Sequence, residues 1–247
     1  METNIYASGE YLKANPGWHT EISPWKVDNI LRMMAKHGLR PGTVCEVGCG
    51  AGEILRLLQQ NLGNDCELWG YDIAPQAIAL SQARANERLH FHLADFQQEP
   101  ARHFDMVLVI DVMHHIEDYF SYFRTIHPRG DHFLFQLPLN IALPTVLSGK
   151  LVQNRKLYGQ LHAFDKETAL QAIRDMGYEV LDYLYTSDQI AIFPRNGLRA
   201  GLHRHPGRWP GICKRALMKM ARSLLFRINQ DLAARLLGGW RLLILAK

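Results

Sequence analysis

The sequence predicts an α/β fold in which a seven-stranded, mostly parallel sheet carries helices on both faces. Three observations predict it. Short strand-like runs alternate with helical stretches of roughly ten residues, which is the pattern of a doubly wound parallel sheet. The run FDMVLVID at 104–111 is almost entirely apolar, as expected for a strand in the centre of a sheet that is covered on both faces. A stretch with three glycines, at 48–52, separates the first strand from the helix that follows it.

The N-terminal residues are predicted to form an arm and one helix. Residues 1–22 are rich in aromatic side chains and have no clear period. Ser23 is expected at the N-cap and Pro24 in the first turn of a helix that ends near Lys36. We expect this region to fold over a ligand as a lid; the alternative is that its aromatic residues only pack the arm onto the domain. The side chains in question are Tyr11, Trp18, His19 and Trp25.

The remaining elements follow from the apolar pattern. In chain order, the predicted strands are TVCEV, CELWGYD, RLHFHLAD, FDMVLVID, HFLFQLPL, EVLDYLYTS and GWRLLILAK. Helices are predicted from Glu53 to Asn61, from Pro75 to Ala85, from about Glu117 to Ile126, and from the N-cap Asp165 to Gly177. A long basic segment, instead of a crossover helix, separates the last two strands, so this end of the sheet is expected to differ from the parallel pattern.

The net charge of +4 hides an asymmetry along the chain. Residues 195–241 hold eleven Lys and Arg and one acid, a charge of +10, whereas the remainder holds 17 basic and 23 acidic residues, a charge of −6. We therefore predict three parts. Residues 1–40 form the arm and helix, 41–194 with 238–247 form the α/β core, and 195–237 form a basic insertion.

The cysteines and the N-terminus indicate the compartment. The four cysteines form no CxxC pair, and the first residues lack the basic and apolar regions of a signal peptide. We therefore expect reduced cysteines and a cytoplasmic protein, with a peripheral position at the inner membrane face as a further option.

The glycine loop raises a question about its ligand, because Glu46 lies two residues before it. Gly48, Gly50 and Gly52 follow a strand and precede a helix, where backbone N–H groups can meet a nucleotide. The GxGxxG spacing of a dinucleotide site is absent, and a carboxylate would repel a pyrophosphate. A ligand with an ammonium or sulfonium group removes this conflict; the alternative is a tight turn without a ligand.

Two more carboxylates end neighbouring predicted strands. Asp72, at the tip of the second strand, can accept two hydrogen bonds from a ribose diol, or it can simply cap the helix that begins near Pro75. Asp95, at the tip of the third strand, can accept a hydrogen bond from an adenine amino group while the ring of Phe96 packs on the base. The alternative for Asp95 is a solvated loop residue.

The order of these motifs resembles that of the class I S-adenosylmethionine-dependent methyltransferases. The resemblance is carried by VCEVGCGAG, LWGYD, HLADF, FDMVLVIDVMHHIED and RGDHFLFQLPL, and it covers roughly residues 40–190 and the last strand. It implies a seven-stranded sheet in the order 3-2-1-4-5-7-6 with the seventh strand antiparallel. It also implies S-adenosylmethionine as the cofactor, whose ammonium and sulfonium groups would account for the carboxylate beside the loop.

The resemblance assigns parts of the cofactor to residues of this chain. Glu46 and the loop Gly48–Gly52 would hold the methionine portion. Asp72 would hold the ribose, and Asp95 with Phe96 would hold the adenine. Three neighbours of these residues complete the expected cofactor site: Cys49, Ile73 and Asp111.

The implied reaction is an in-line methyl transfer, which needs alignment of the acceptor and, for a hydroxyl, a base. His114 and His115 follow the fourth strand, at the edge of the sheet where α/β ligand sites form, and His162 follows the fifth strand. These three are the candidate bases, because neutral imidazole is available near pH 7; each could instead be structural. No spacing of carboxylate and histidine on one helix predicts a metal site, and none is expected.

The residues after the fourth strand limit the classes of acceptor that the enzyme is expected to methylate. They contain neither the Asn/Asp-Pro-Pro-aromatic motif of adenine amino methyltransferases nor the Pro-Cys of cytosine C5 enzymes, and IDVMHHIED resembles small-molecule and lipid-quinone methyltransferases. We therefore predict a small-molecule, sugar or lipid-linked acceptor. The predicted acceptor atom is oxygen, with nitrogen as the alternative. The alternatives are an RNA or protein methyltransferase that uses the basic insertion, and a protein that binds the cofactor without catalysis.

The basic insertion is predicted to contain a two-faced helix. From Ile212 to Ile228 apolar residues recur at helical spacing, and the basic residues between Lys214 and Arg222 lie largely on the opposite side. Such a helix can lie in a membrane interface, so residues 199–236 are predicted to contact an anionic membrane or a lipid-linked substrate. The alternatives are a helical cap on the sheet edge and a soluble anionic partner; nucleic acid is disfavoured, because aromatic and basic residues do not alternate. The sequence predicts no particular oligomeric state.

Overall fold

The computed structural model describes residues 17–18, 20–187 and 222–247, which build a seven-stranded sheet. The strands are β1 (Thr43–Val47), β2 (Glu67–Asp72), β3 (Leu89–Leu93), β4 (Phe104–Ile110), β5 (Gly130–Pro138), β6 (Val180–Thr186) and β7 (Arg241–Ala246). Their order is 3-2-1-4-5-7-6; β7 is antiparallel to both of its neighbours, and the other neighbouring pairs are parallel. The predicted fold class and strand order are confirmed.

Helices flank the sheet on both faces. Those of the described residues are α1 (Ser23–Lys36), α2 (Glu53–Gln59), α3 (Pro75–Ser81), α4 (Tyr119–Ile126), α5 (Leu143–Leu147), α6 (Lys150–Tyr158), α7 (Lys166–Asp175) and α8 (Gln230–Leu237); residues 222–228 are also helical. The apolar pattern does not predict α5 or α6, because neither helix buries a side chain. Within the described ranges, no helix is both long and apolar enough to cross a membrane.

The starts of α1 and α7 test two predicted N-caps. The α7 cap is confirmed, because the Asp165 carboxylate accepts a hydrogen bond from the backbone N–H of Thr168 and the Thr168 hydroxyl accepts one in return. The predicted cap at Ser23 is wrong. A short 3₁₀ turn at Thr20–Ile22 leads directly into the helix, so that Ser23 is already helical.

Each face of the sheet carries an apolar layer. On one face α1, α2 and α3 pack against alternate strand residues, with Ile30 and Met33 of α1 fully buried. On the other face α4 and α7 pack against an aromatic layer, in which the buried Tyr178 hydroxyl donates a 2.8 Å hydrogen bond to the Phe123 carbonyl. All of Met106–Ile110 in β4 is buried, as predicted for the central strand.

The carboxyl ends of the parallel strands meet at one edge, and this edge positions the predicted site. The segments that follow β1, β2, β3 and β4 all leave the sheet here. Because β7 is antiparallel, its first residue, Arg241, lies at the same edge, opposite Pro138 at the end of β5. The edge therefore gathers side chains from distant parts of the chain.

Candidate active site

The loop between β1 and α2 depends on its glycines. Gly48, Gly50 and Gly52 have φ values of 70°, 55° and 76°, a left-handed conformation that side chains disfavour. A Cβ atom at Gly48 would lie 2.5 Å from the Val112 side chain, and one at Gly52 would lie 2.4 Å from the Phe91 ring. The loop therefore packs closely on its neighbours, which leaves no room for side chains at two of these positions.

Asp72 connects the tip of β2 to this loop. One of its carboxylate oxygens accepts a 2.8 Å hydrogen bond from the backbone N–H of Gly50, and the other accepts a 2.8 Å bond from the N–H of Ala74, the N-cap of α3. Asp72 thus holds the loop and the residue before α3, but it accepts no bond from an N–H group of the helix, so the alternative prediction of a helix cap is wrong. Each carboxylate oxygen of Asp72 retains a second lone pair, which can accept a hydrogen bond from a ribose hydroxyl. This contact stays a prediction.

Glu46 is a buried carboxyl group with an unused oxygen. Its side chain is 1% exposed, and Oε2 has no hydrogen-bond partner among the described residues. Burial raises the pKa of Glu46 to about 8, although the nearby Lys26 ammonium opposes this rise. A buried oxygen of this kind is suited to a positively charged hydrogen-bond donor.

Asp111 is engaged by two cations of the chain itself. Its carboxylate lies 2.9 Å from the Lys26 ammonium and 3.4 Å from Nε of Arg241. Burial alone would raise the pKa of Asp111, but these two cations hold it well below its ordinary value. The backbone at Asp111 is left-handed, with φ at 59°. Its predicted cofactor contact stays a prediction; no sequence signal pairs Lys26 or Arg241 with it, because the three meet only in the fold.

Asp95 and Phe96 differ in their access to this edge. Asp95 is half-buried, and its carboxylate accepts a 3.0 Å hydrogen bond from the backbone N–H of Gln97. Phe96 is only 2% exposed, and its ring packs against Tyr71 and Phe104 in the core. The ring therefore lies in the core, and the predicted contact of Phe96 with a base stays a prediction.

Two other side chains provide apolar surface beside Asp72 and Asp95. Ile73 and Leu93 are both exposed at the tips of β2 and β3. Ile73 is a predicted cofactor residue, whereas Leu93 is not predicted, because its position in HLADF reads as an ordinary strand residue. Cys49 is buried beside Gly70, so the loop presents the backbone of Cys49 and not its thiol.

The predicted histidines meet at a junction between two loops. His114 is buried, which holds its pKa well below the ordinary range, and its carbonyl accepts hydrogen bonds from the backbone N–H groups of Leu161 and His162. His115 Nδ1 lies 3.0 Å from the carbonyl of Gly159. Because a carbonyl only accepts, Nδ1 of His115 carries the proton in this contact. His114 and His115 thus fix the segment that contains His162.

His162 completes the junction and borders a cavity. Its Nε2 lies 3.0 Å from the Ile116 carbonyl, so Nε2 carries the proton and Nδ1 carries a lone pair. The ring packs edge-on against Tyr119. The adjacent cavity has a volume of about 210 Å³. Its lining includes Asn140, Val152, Arg155, Gln160, Leu161 and His162.

The described part of the predicted lid lies over the glycine loop. A Cβ atom at Gly50 would lie 3.5 Å from the ring of Trp18, and Trp18 has a left-handed backbone with φ at 47°. Trp25 lies in α1, with its ring 5.7 Å from the Arg241 guanidinium carbon. Tyr11 and His19 lie outside the described residues. Trp18 thus packs next to the glycine loop, and its role in a lid stays a prediction.

Comparison with known proteins decides the family. Residues 18–183 match a family described as a methyltransferase domain, which covers more than half of the chain. The chain belongs to this methyltransferase family. A comparison with curated proteins finds no match.

Solved structures share the fold of this methyltransferase. A chain from the complex of the Haloferax volcanii Trm112 methyltransferase activator with a methyltransferase gives a TM-score of 0.61 at 17% identity, over 98% of this chain and 95% of that one. Magnesium protoporphyrin IX methyltransferase from Synechocystis, with bound S-adenosylhomocysteine, gives 0.55 at 18% identity, over 74% and 90%. An N-methyltransferase from Bradyrhizobium japonicum, also with S-adenosylhomocysteine, gives 0.55 at 18% identity, over 74% and 91%.

The predictions of a methyltransferase and of S-adenosylmethionine as its cofactor are confirmed. When bound, this cofactor supplies a methyl group on positively charged sulfur. The residues fit it, because Glu46 offers a buried oxygen to which no described residue donates, and the glycine loop allows close approach of a ligand to the backbone. The individual contacts stay predictions. Among the described residues, no group of three or more His, Cys, Asp and Glu side chains is placed to hold a metal ion.

Proposed function

We propose that this methyltransferase transfers the methyl group to an oxygen atom of a small-molecule, sugar or lipid-linked acceptor. The observation that carries the proposal is the cavity of about 210 Å³ beside His162. Its walls are mixed, with the apolar Val152 and the basic Arg155 among them. A cavity of this size and character accommodates one end of an amphipathic acceptor.

His162 is the base in this proposal. Because Nε2–H donates to the Ile116 carbonyl, the ring keeps a fixed tautomer in which Nδ1 can accept the proton of an acceptor hydroxyl. A neutral amine is already a good nucleophile and can lose its proton to water after the transfer, whereas a hydroxyl is a weak nucleophile until a base removes its proton, which is why the base favours oxygen. His114 and His115 position the loop and do not exchange protons with the acceptor.

Replacing His162 with glutamine is expected to lower kcat about 100-fold or more and to leave the KM for the cofactor unchanged, because only the proton transfer is lost. The measurement is transfer of a labelled methyl group from S-adenosylmethionine to a panel of hydroxyl-bearing and amine-bearing acceptors, at several pH values. His103→Gln is the matched control, since His103 is exposed and, within the part of the chain that the structure describes, forms an ion pair only with Asp131. An unchanged rate and pH profile for His162→Gln would show that His162 is structural.

We also propose that the protein is cytoplasmic and that residues 199–236 contact an anionic membrane or a lipid-linked acceptor. Most of this segment lies outside the described residues. In the described part, Leu224 and Ile228 are exposed in the helical residues 222–228, and Leu232 and Leu236 are exposed in α8. These exposed apolar side chains support the proposal.

A further inference from the structure

The α5 and α6 helices expose apolar side chains that nothing in the described structure covers. Neither helix has a buried residue, and Leu147 and Val152 are 77% and 62% exposed. Isolated exposed leucines are ordinary, but a contiguous set marks an interaction surface. The exposed apolar residues of this segment are Ile141, Leu143, Val146, Leu147, Val152 and Leu157. Residues 141–158 are called the α5–α6 segment below.

The charge of the segment points to a negatively charged partner. Residues 139–164 contain three basic residues and no Asp or Glu. All three, Lys150, Arg155 and Lys156, are exposed, and none of them forms an ion pair with a described residue. Lysine and arginine can extend their charged ends away from an apolar surface while their stems stay on it.

Residues 222–237, which lie next to the α5–α6 segment, also expose apolar side chains and positive charge. α5 contacts α8, and Gly238 at the end of α8 lies against Ala142. The exposed leucines of 222–237 therefore belong to an element that adjoins the α5–α6 segment, and Arg227 is exposed among them. Two adjoining helical elements thus combine exposed apolar residues with positive charge.

We propose that the α5–α6 segment docks the protein onto an anionic lipid bilayer. Exposed leucine and valine side chains would enter the headgroup boundary, and Lys150 and Lys156 would contact anionic headgroups. A second copy of the chain fits less well, because a two-fold interface would bring like charges together. Val152 and Arg155 belong both to this segment and to the cavity beside His162, so the bound segment would face the cavity toward the bilayer. In this orientation the acceptor would enter the cavity from the lipid side. This part of the proposal rests on the proposed function.

Sedimentation of the full chain with vesicles tests the docking. The chain is expected to bind vesicles of phosphatidylcholine and phosphatidylglycerol in equal parts, to bind pure phosphatidylcholine weakly, and to lose binding as salt increases. Leu147→Ser and Val152→Ser should each lower the partition coefficient about ten-fold, from the lost apolar transfer. Lys150→Glu with Lys156→Glu should lower it at least about twenty-fold. The controls are Leu80→Ser, an exposed leucine of α3, and Arg32→Glu with Arg40→Glu, which should bind like the unchanged chain.

Several results would overturn the proposal. The unchanged chain could fail to bind anionic vesicles, or the α5–α6 variants could bind as well as their controls. A dimer that dissociates in Leu147→Ser, without vesicle binding, would instead make the segment an interface between copies. Calorimetry with S-adenosylhomocysteine on the same variants separates this proposal from the methyltransferase function, because cofactor affinity should not change in any of them.

Discussion

Replacing Glu46 with glutamine is expected to stabilise the ligand-free protein at high pH and to weaken cofactor binding. Burial raises the pKa of Glu46 from 4.5 to about 8, so the folded protein favours the protonated form. The stability that this form contributes is complete below the unfolded pKa and is lost as the pH rises through the folded pKa. The difference corresponds to at most about 5 kcal/mol, and glutamine, which does not ionise, avoids the loss.

The same substitution removes the charge that would meet an ammonium group. Loss of a buried ion pair with a ligand costs about 2–5 kcal/mol, so the Kd for S-adenosylhomocysteine should rise at least about 30-fold. The measurements are the free energy of unfolding from pH 5 to pH 9 and calorimetric titration with the ligand. Glu87→Gln, at an exposed position, is the control and should change neither. Equal affinity of Glu46→Gln and the unchanged chain would refute the assignment of Glu46 to the cofactor.

Replacing Asp72 with alanine is expected to produce the second large effect, a loss of cofactor affinity of at least about 100-fold. Two charge-assisted hydrogen bonds to a ribose diol contribute about 1.5–3 kcal/mol each. The variant also loses the bonds that Asp72 accepts from the N–H groups of Gly50 and Ala74, so the loop itself is released. The measurement is calorimetric titration with S-adenosylhomocysteine.

Asp118→Ala separates binding from stability in this experiment. Asp118 caps α4 by accepting a 3.0 Å hydrogen bond from the Ser121 N–H. Both substitutions remove a carboxylate that accepts a backbone N–H bond near the start of a helix, from Ala74 in one case and from Ser121 in the other. Both should lower the free energy of unfolding by about 1–2 kcal/mol, but only Asp72→Ala should weaken cofactor binding. Equal affinity in the Asp72 and Asp118 variants would leave Asp72 with a structural role alone.

The strands and their order could be predicted because the sequence contains two independent signals for them. Apolar runs such as FDMVLVID mark the strands locally, and the order of motifs at their tips resembles one family, whose sheet order the structure confirms. The ends of α7 could also be predicted, since the Asp165 and Thr168 capping box is a local interaction. The cap of α1 could not, because the turn that precedes Ser23 is already helical.

The parts that were not predictable depend on contacts between distant residues. The pairing of Asp111 with Lys26 and Arg241 joins three elements and has no local pattern. The ring of Phe96 enters the core because Tyr71 and Phe104 lie beneath it, a fact that the dipeptide Asp95–Phe96 does not contain. α5 and α6 bury no side chain, so they lack the apolar period from which a helix is predicted.

Calorimetric titration of the full chain with S-adenosylmethionine, in the presence and absence of NAD, tests most directly whether the carboxyl edge of the sheet binds a phosphate-free, positively charged adenosyl compound. We expect a single saturable site for S-adenosylmethionine whose affinity NAD does not change. Saturable binding of NAD that competes with S-adenosylmethionine, or no saturable heat with S-adenosylmethionine, would contradict the assignment of Glu46, Asp72 and the glycine loop to this cofactor.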